Sequence, residues 1–167
     1  MMIQLIKNRI PSFIIMRPTR ADMALHSRPY SQFLKDAQAG TLANYTYLEP
    51  FFGQAKKAQS NDGHAGGTFF HRAELLIKEV YETVRNSPLW NNTLLLITYD
   101  EHGGHFDHVP PPKAPNPDGK TGRNEMGYYG FDRLGVRVPA MLISPWIKKG
   151  SVNCFSSRDG LTRLGDS

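Results

Sequence analysis

A continuous apolar run, Thr93–Tyr99 (TLLLITY), constrains the fold of this chain more than any other segment. The run is too short for a typical helix, and its residue types favour a strand. A strand without apolar–polar alternation is typical of burial on both faces, as in a parallel sheet covered by helices. Arg137–Ser144 (RVPAMLIS) predicts a second such strand, which Pro139 restricts to an edge of the sheet or to starting after the proline.

Helical patterns precede the apolar run. Tyr30–Gly40 predicts a short helix that Ser31 caps and Gly40 ends, and Thr68–Ser87 predicts a longer one with a wide apolar stripe. Between them, Thr41–Pro50 favours a short strand. Helices that alternate with apolar strands indicate an α/β fold.

Polar groups with metal and acid–base chemistry crowd the exit of the predicted strand. Ligands of open α/β sheets bind beyond the carboxyl ends of the strands, where Asp100 and Glu101 are expected. Adjacent carboxylates repel each other, and a divalent cation would offset that repulsion and bind a phosphoryl oxygen. The cluster comprises three carboxylates and three imidazoles within residues 100–108: Asp100, Glu101, Asp107, His102, His105 and His108.

The three histidines have several open roles. They could be further metal ligands, hydrogen-bond donors to phosphate or the acid that protonates a leaving group. Gly103 and Gly104 would let the backbone turn tightly. The stretch from Asp100 to Asp132 is rich in proline and glycine and lacks periodicity, which predicts a functional loop that wraps over a site.

Other polar groups carry weaker signals. Asn61–His64 is by itself ordinary turn chemistry that precedes the long helix. His71 is interpreted as a surface or helix-packing residue. Asp132 and Arg133 could form a structural ion pair or bind phosphate, and both interpretations stay open.

Composition excludes some classes of protein. The net charge is +5, but the 20 Lys and Arg residues are scattered, so no nucleic-acid partner is predicted. Cys154 is the only cysteine, which excludes an intramolecular disulfide. The apolar stretch at residues 1–16 is broken by Lys7, Arg9 and Pro11, so it is neither a bilayer span nor a good signal peptide. Localisation is left open.

Several segments in the same order resemble one family. These are Tyr81–Val109 (YETVRNSPLWNNTLLLITYDEHGGHFDHV), Phe131–Pro139 (FDRLGVRVP) and Ile143–Gly150 (ISPWIKKG). With residues 34–50 and 61–64, the resemblance covers about residues 30–152. The chain resembles the phosphoesterase family of non-specific phospholipase C and related acid phosphatases, a branch of the alkaline-phosphatase superfamily. This implies part of a central sheet flanked by helices, with divalent metal at the carboxyl ends of its strands.

The resemblance also assigns roles to residues. It implies that Asp100 and Glu101 are metal ligands, and that His102, His64 and Asp62 belong to the catalytic group. Asp62 and His64 match the family's Asp-x-His motif, although the residues that follow them differ from the family pattern. His105, Asp107 and His108 are assigned to contacts with substrate phosphate or to support of the loop.

In this family a Thr or Ser nucleophile and a Glu-Asn pair come from an N-terminal half that nothing upstream of Tyr30 resembles. We therefore expect a poorly defined segment at residues 1–29, the C-terminal part of a phosphoesterase domain at 30–152 and a truncated tail at 153–167. A chain without the N-terminal half would be inactive on its own.

The predicted function is a phospholipase C-like hydrolase that converts phospholipid to diacylglycerol and a phosphorylated headgroup. The alternatives are an acid phosphatase acting on small phosphomonoesters and a non-catalytic metal-binding or interaction module. A non-haem iron oxygenase is rejected, because His105-x-Asp107 has no distant downstream histidine. The cofactor is a divalent ion, either Ca²⁺, Mg²⁺, Mn²⁺ or Zn²⁺. Peripheral membrane contact and oligomeric state stay open.

Overall fold

A computed structural model describes residues 2–7, 27–52, 60–64, 70–124 and 127–152. The chain divides into two compact units, which are Met1–Gly104 with Val138–Ile147 (unit 1) and His105–Arg137 with Lys148–Ser167 (unit 2). The described residues form a mixed α/β structure. Its elements are β1 (Met2–Lys7), α1 (Tyr30–Ala39), β2 (Tyr45–Leu48), α2 (Phe70–Arg85), the 3₁₀ turn Trp90–Asn92, β3 (Thr93–Thr98), β4 (Gly122–Asn124), β5 (Gly127–Tyr129) and β6 (Ala140–Ile143).

Unit 1 contains a four-stranded sheet in the order β2-β1-β3-β6. Every neighbouring pair is antiparallel, so the expected parallel sheet is wrong. β3 is also buried on one face only. Leu95 and Ile97 are fully buried, whereas Leu94 and Leu96 on the other face are partly exposed. An apolar run fixes the strand, but it carries no information about the direction of its neighbours.

β1 was not anticipated. Sequence analysis assigned no strand before Tyr30, yet Met2–Lys7 lies between β2 and β3 and pairs with both of them. Its Ile3 and Leu5 are buried beside Ile97 and Leu95. Part of the N-terminal segment therefore completes the sheet that carries the acidic cluster.

The core lies between one face of the sheet and the two helices. Burying a large aliphatic side chain contributes about 1.5–3 kcal/mol, so this face provides most of the stability of unit 1. The buried hydrophobic residues are Ile3, Leu5, Leu95 and Ile97 from the sheet, Phe33 and Ala37 from α1, Ala73, Val80 and Val84 from α2, and Leu42.

The helices match their predicted positions. α1 ends at Gly40, whose φ of 72° is left-handed, and the Thr41 N–H donates to the Asp36 carbonyl at 2.8 Å. The predicted cap is wrong, because Pro29 occupies the N-cap and Ser31 lies within the first turn. Among the described residues, no helix has the length and apolarity needed to cross a bilayer.

β6 begins directly after Pro139, and it is the last strand of the sheet in the described part of the chain. The restriction that the proline imposes is thus confirmed. Burial on both faces is wrong for this strand, because Met141 and Leu142 are exposed. A strand with neighbours on one side only leaves more of its surface in contact with solvent.

Unit 2 contains structure where no periodicity was found. The Leu134 N–H donates to the Pro112 carbonyl, and the Ala114 N–H donates to the Asp132 carbonyl, both at 2.9 Å. β4 and β5 pair further along the same two stretches of chain. Residues 107–124 and 127–137 therefore form the two antiparallel arms of a ribbon, called the ribbon below. Whether this stretch wraps over a site stays a prediction.

Candidate functional site

The acidic pair follows β3 directly, as predicted. β3 ends at Thr98, and after Tyr99, Asp100 and Glu101 the chain turns through two left-handed glycines. Gly103 and Gly104 have φ values of 66° and 76°. Side chains are strained in this conformation, so the predicted use of glycine for a tight turn is confirmed.

Glu101 lies between two imidazoles. One carboxylate oxygen, Oε2, accepts the Gly103 N–H at 2.9 Å and lies 3.2 Å from His102 Nδ1. The other oxygen, Oε1, lies 3.4 Å from His64 Nε2. The Glu101 side chain retains 43% exposure, so the group is open to a small ligand. Three predicted site residues from two loops are thus brought together.

Gly63 allows the loop of His64 to approach the strand exit. Gly63 is buried with a φ of 75°, and a Cβ at this position would lie 3.2 Å from the Tyr99 ring. The Asp62 carboxylate accepts the backbone N–H of His64 at 3.1 Å. Upstream, the Asn61 side chain accepts the Phe51 N–H at 2.6 Å and ties the loop to the segment after β2. Asp62 therefore shapes the loop that presents His64.

The two residues that precede Glu101 differ in environment. Asp100 is exposed, and a hydrogen bond from its own backbone N–H lowers the pKa of its carboxyl group. Burial, with a smaller contribution from Glu74, raises the pKa of the Tyr99 phenol. Asp100 is thus an anion at the strand exit, while Tyr99 packs beneath the loop as a neutral group.

The donor atoms are of the types that bind a divalent cation, but too few of them come together to complete a site. Carboxylate oxygen and imidazole nitrogen are ligands that Zn²⁺ and Mn²⁺ accept, and carboxylates alone suit Mg²⁺ and Ca²⁺. Within residues 2–7, 27–52, 60–64, 70–124 and 127–152, no three His, Cys, Asp or Glu side chains are arranged to hold a metal ion. The described residues therefore offer a partial ligand set.

The remaining predicted residues, His105, Asp107 and His108, lie in unit 2. Arg137 donates from Nε and Nη2 to the two Asp107 oxygens at 2.8 and 2.7 Å, and Val109 N–H donates to Oδ1 at 3.0 Å. The hydrogen bonds from Arg137 hold the pKa of the Asp107 carboxyl far below its ordinary value. This geometry favours loop support over phosphate contact for Asp107. His108 Nδ1 lies 3.7 Å from Asp107, and His105 is exposed.

Sequence reasoning assigned no role to Arg137, which lies thirty positions after its partner and stood only at the start of a predicted strand. It also left Arg133 open. The Arg133 guanidinium stands 4.9 Å from the centre of the Tyr129 ring, a cation–π contact within unit 2. His71 is exposed on α2, in agreement with its interpretation as a surface residue.

A sequence profile of the Phosphoesterase family matches residues 6–156. Non-specific phospholipases C6 and C1 of Arabidopsis thaliana are 51% and 50% identical to the chain over 123 residues, which is 72% of this chain and 23% of each relative. A non-hemolytic phospholipase C of Burkholderia pseudomallei is 37% identical over 104 residues, covering 53% of this chain and 14% of that protein. The chain thus spans less than a quarter of the length of these relatives.

Proposed function

The chain belongs to the Phosphoesterase family, and we propose that it contributes metal-holding and proton-donating groups to a hydrolase of phosphate ester bonds. The observation that supports this proposal is the Glu101 carboxylate between His64 and His102 at the exit of β3. Two imidazoles and a carboxylate at one strand end are the groups that phosphoryl transfer uses.

Each residue has a proposed part in the reaction. Asp100 and Glu101 would hold a divalent ion, which when bound supplies positive charge to a phosphoryl oxygen. Glu101 also fixes the orientation of the two rings, because an imidazole that hydrogen-bonds a carboxylate presents its other nitrogen outward. From there His64 or His102 donates a hydrogen bond to phosphate, or a proton to the departing oxygen.

The proposed substrate class is phospholipid, cleaved to diacylglycerol and a phosphorylated headgroup. The names of the plant and bacterial relatives support it, and a small phosphomonoester is the alternative substrate. We further propose that the sheet is part of an alkaline-phosphatase-like domain. The nucleophile is not assigned to any residue of this chain, so hydrolysis is proposed for a longer polypeptide that carries this segment.

A non-catalytic metal-binding module is the second candidate. It is favoured by the partial ligand set, since the described residues bring fewer than three ligating side chains together, and such a set would hold an ion only weakly. Such a module would retain metal binding without turnover.

The first test is to express residues 1–167 and assay p-nitrophenyl phosphorylcholine with added divalent ions. We expect no turnover above that of a Glu101→Gln control, because no nucleophile is assigned here. Robust hydrolysis that Glu101→Gln abolishes would contradict the proposed need for a longer chain.

A graft tests the contribution of the segment to catalysis. The matching 123 residues of non-specific phospholipase C6 are replaced by those of this chain. We expect the graft to hydrolyse the same substrate, and Glu101→Gln within it to lower kcat by roughly 100-fold. Glu82→Gln, an exposed carboxylate on α2 paired with Lys78, is the matched control and should leave kcat unchanged. Equal activity of the two variants would refute the role of Glu101.

A further inference from the structure

Three prolines limit the backbone hydrogen bonds at the base of the ribbon. Pro110, Pro111 and Pro112 have no N–H, so no backbone hydrogen bond can be donated from these three positions. The first rung above them is the Leu134 N–H to the Pro112 carbonyl. Further up, the Asn116 side chain donates to the Gly130 carbonyl at 2.7 Å. Side chains thus supply hydrogen bonds between the arms where proline has no backbone N–H to donate.

At the base, Arg137 and Asp107 join the two arms. The planar guanidinium donates to both carboxylate oxygens, which is the geometry that a single ammonium group cannot reproduce. Only 22% of the Asp107 side chain is exposed, against 58% for Arg137. The Val109 N–H adds a third hydrogen bond to Asp107. Asp107 is thereby fixed from both arms.

We propose that Arg137 is a positioning residue: by holding Asp107 it closes the base of the ribbon and fixes the His105–His108 segment, so that these two histidines can contact phosphate. This inference rests on the proposed function. Asp107 lies two residues after His105 and directly before His108, so fixing it limits the range of both rings. The opposing view is that Arg137 binds phosphate directly.

Removing the charge of Asp107 separates the two views. The Asp107→Asn variant loses a negative charge, so electrostatics alone predicts tighter binding of inorganic phosphate. Positioning predicts weaker binding, by about threefold or more, because a neutral amide cannot hold the guanidinium through two charge-assisted hydrogen bonds. Inorganic phosphate is titrated into the full chain, and the ring signals of His105 and His108 are followed by NMR.

The variants Arg137→Gln and Arg137→Lys complete the set. We expect both to weaken phosphate binding as Asp107→Asn does, and the double variant Asp107→Asn with Arg137→Gln to be no worse than either single one. Lys120→Gln removes the same charge from an exposed pair with Asp118 in unit 2 and should leave binding unchanged. Full rescue by lysine, or tighter binding by Asp107→Asn, would overturn the proposal.

Hydrogen exchange measures how firmly the Arg137–Asp107 pair holds the two arms of the ribbon together. In the same variants the amides of Val109, Ala114 and Leu134 should exchange about threefold faster or more, while those of Ile97 in β3 stay protected and show that unit 1 is folded. In the wild-type chain, a slowly exchanging Arg137 Nε–H that Asp107→Asn abolishes is also expected. If these amides exchange at the wild-type rate in the variants while the wild-type histidines respond to phosphate, the Arg137–Asp107 pair does not close the base of the ribbon. That result would refute the positioning proposal and leave the proposed function standing. If the ring signals of His105 and His108 in the wild-type chain do not change with phosphate, the result contradicts the proposed function. The positioning role of Arg137 would then fail as well.

Discussion

Units 1 and 2 are stabilised by different forces. All the buried hydrophobic residues in the described part of the chain belong to unit 1, where sheet and helices enclose them. The described residues of unit 2 are held by a backbone ladder, the Arg137–Asp107 pair and an edge-to-face contact between Tyr129 and Phe131 at 4.9 Å. One unit depends on burial, and the other depends on polar contacts that water can replace. The two should therefore respond differently to substitution, to backbone strain and to pH.

The largest difference is expected from side-chain truncation. Leu95→Ala removes a fully buried side chain from the centre of unit 1, and should lower the free energy of unfolding by about 2–5 kcal/mol. Val136→Ala in unit 2 removes a side chain that is 39% exposed, and should change it by less than about 0.5 kcal/mol. Urea denaturation followed by circular dichroism measures both. Equal losses would mean that unit 2 has a core of comparable importance.

A pair of glycines separates strain from packing within unit 1. Gly63 and Gly104 have nearly the same φ, 75° and 76°, but a Cβ at Gly63 meets the Tyr99 ring at 3.2 Å, whereas at Gly104 it meets nothing within 4 Å. Each substitution by alanine should cost about 1 kcal/mol in strain. Gly63→Ala should cost roughly 1 kcal/mol more, because it pushes the His64 loop away from Tyr99. Equal costs in urea denaturation would show that the loop does not pack as described.

The contrast between the units also explains what the sequence could predict. α1 and α2 were located because the burial of one helix face gives the sequence a periodic pattern, and β3 was located because its apolar run is continuous and too short for a helix. The acidic pair was placed correctly at the strand exit for the same reason. β1 was missed because Gln4 interrupts its apolar residues, and Lys7, Arg9 and Pro11 then break the apolar stretch at residues 1–16. The predicted parallel direction was wrong because the pattern of β3 does not indicate which strands pair with it.

The ribbon lay beyond sequence reasoning for a physical reason. Its rungs join residues such as Pro112 and Leu134 through backbone atoms, which every residue possesses. The sequence gives no sign that Arg137 pairs with Asp107, because thirty positions separate them and the ladder brings them together. Gly63 was likewise read as turn chemistry, and only its packing against Tyr99 reveals why the loop needs glycine there.

The smallest effects on stability are expected from changes of pH, at high pH in unit 1 and at low pH in unit 2. Burial and the hydrogen bond to Glu79 raise the pKa of Tyr30 in unit 1 above its ordinary value of 10.0. Its contribution to stability is therefore complete below pH 10 and is lost as the pH rises further. Thermal unfolding at pH 8 and pH 11 should show a larger drop for the wild type than for Tyr30→Phe. An equal drop would contradict the burial of this phenol.

Asp107 in unit 2 shows the reverse dependence. Because Arg137 depresses its pKa below the ordinary 3.8, its contribution is complete above that pH and is lost as the pH falls through the lower value. The carboxyl ¹³C signal of Asp107 should therefore titrate at lower pH in the wild type than in Arg137→Gln. Coincident titrations would show that the ion pair is absent in solution.

The proposed placement of the metal at the exit of β3 is tested most directly by paramagnetic broadening with Mn²⁺, which detects weak binding to the full chain. The account predicts that low Mn²⁺ concentrations broaden the amide signals of Glu101–Gly103 and His64 first. Glu101→Gln should abolish this broadening, whereas Glu82→Gln should leave it unchanged. Broadening that persists in Glu101→Gln, or that is strongest in the ribbon, would contradict the assignment of the site.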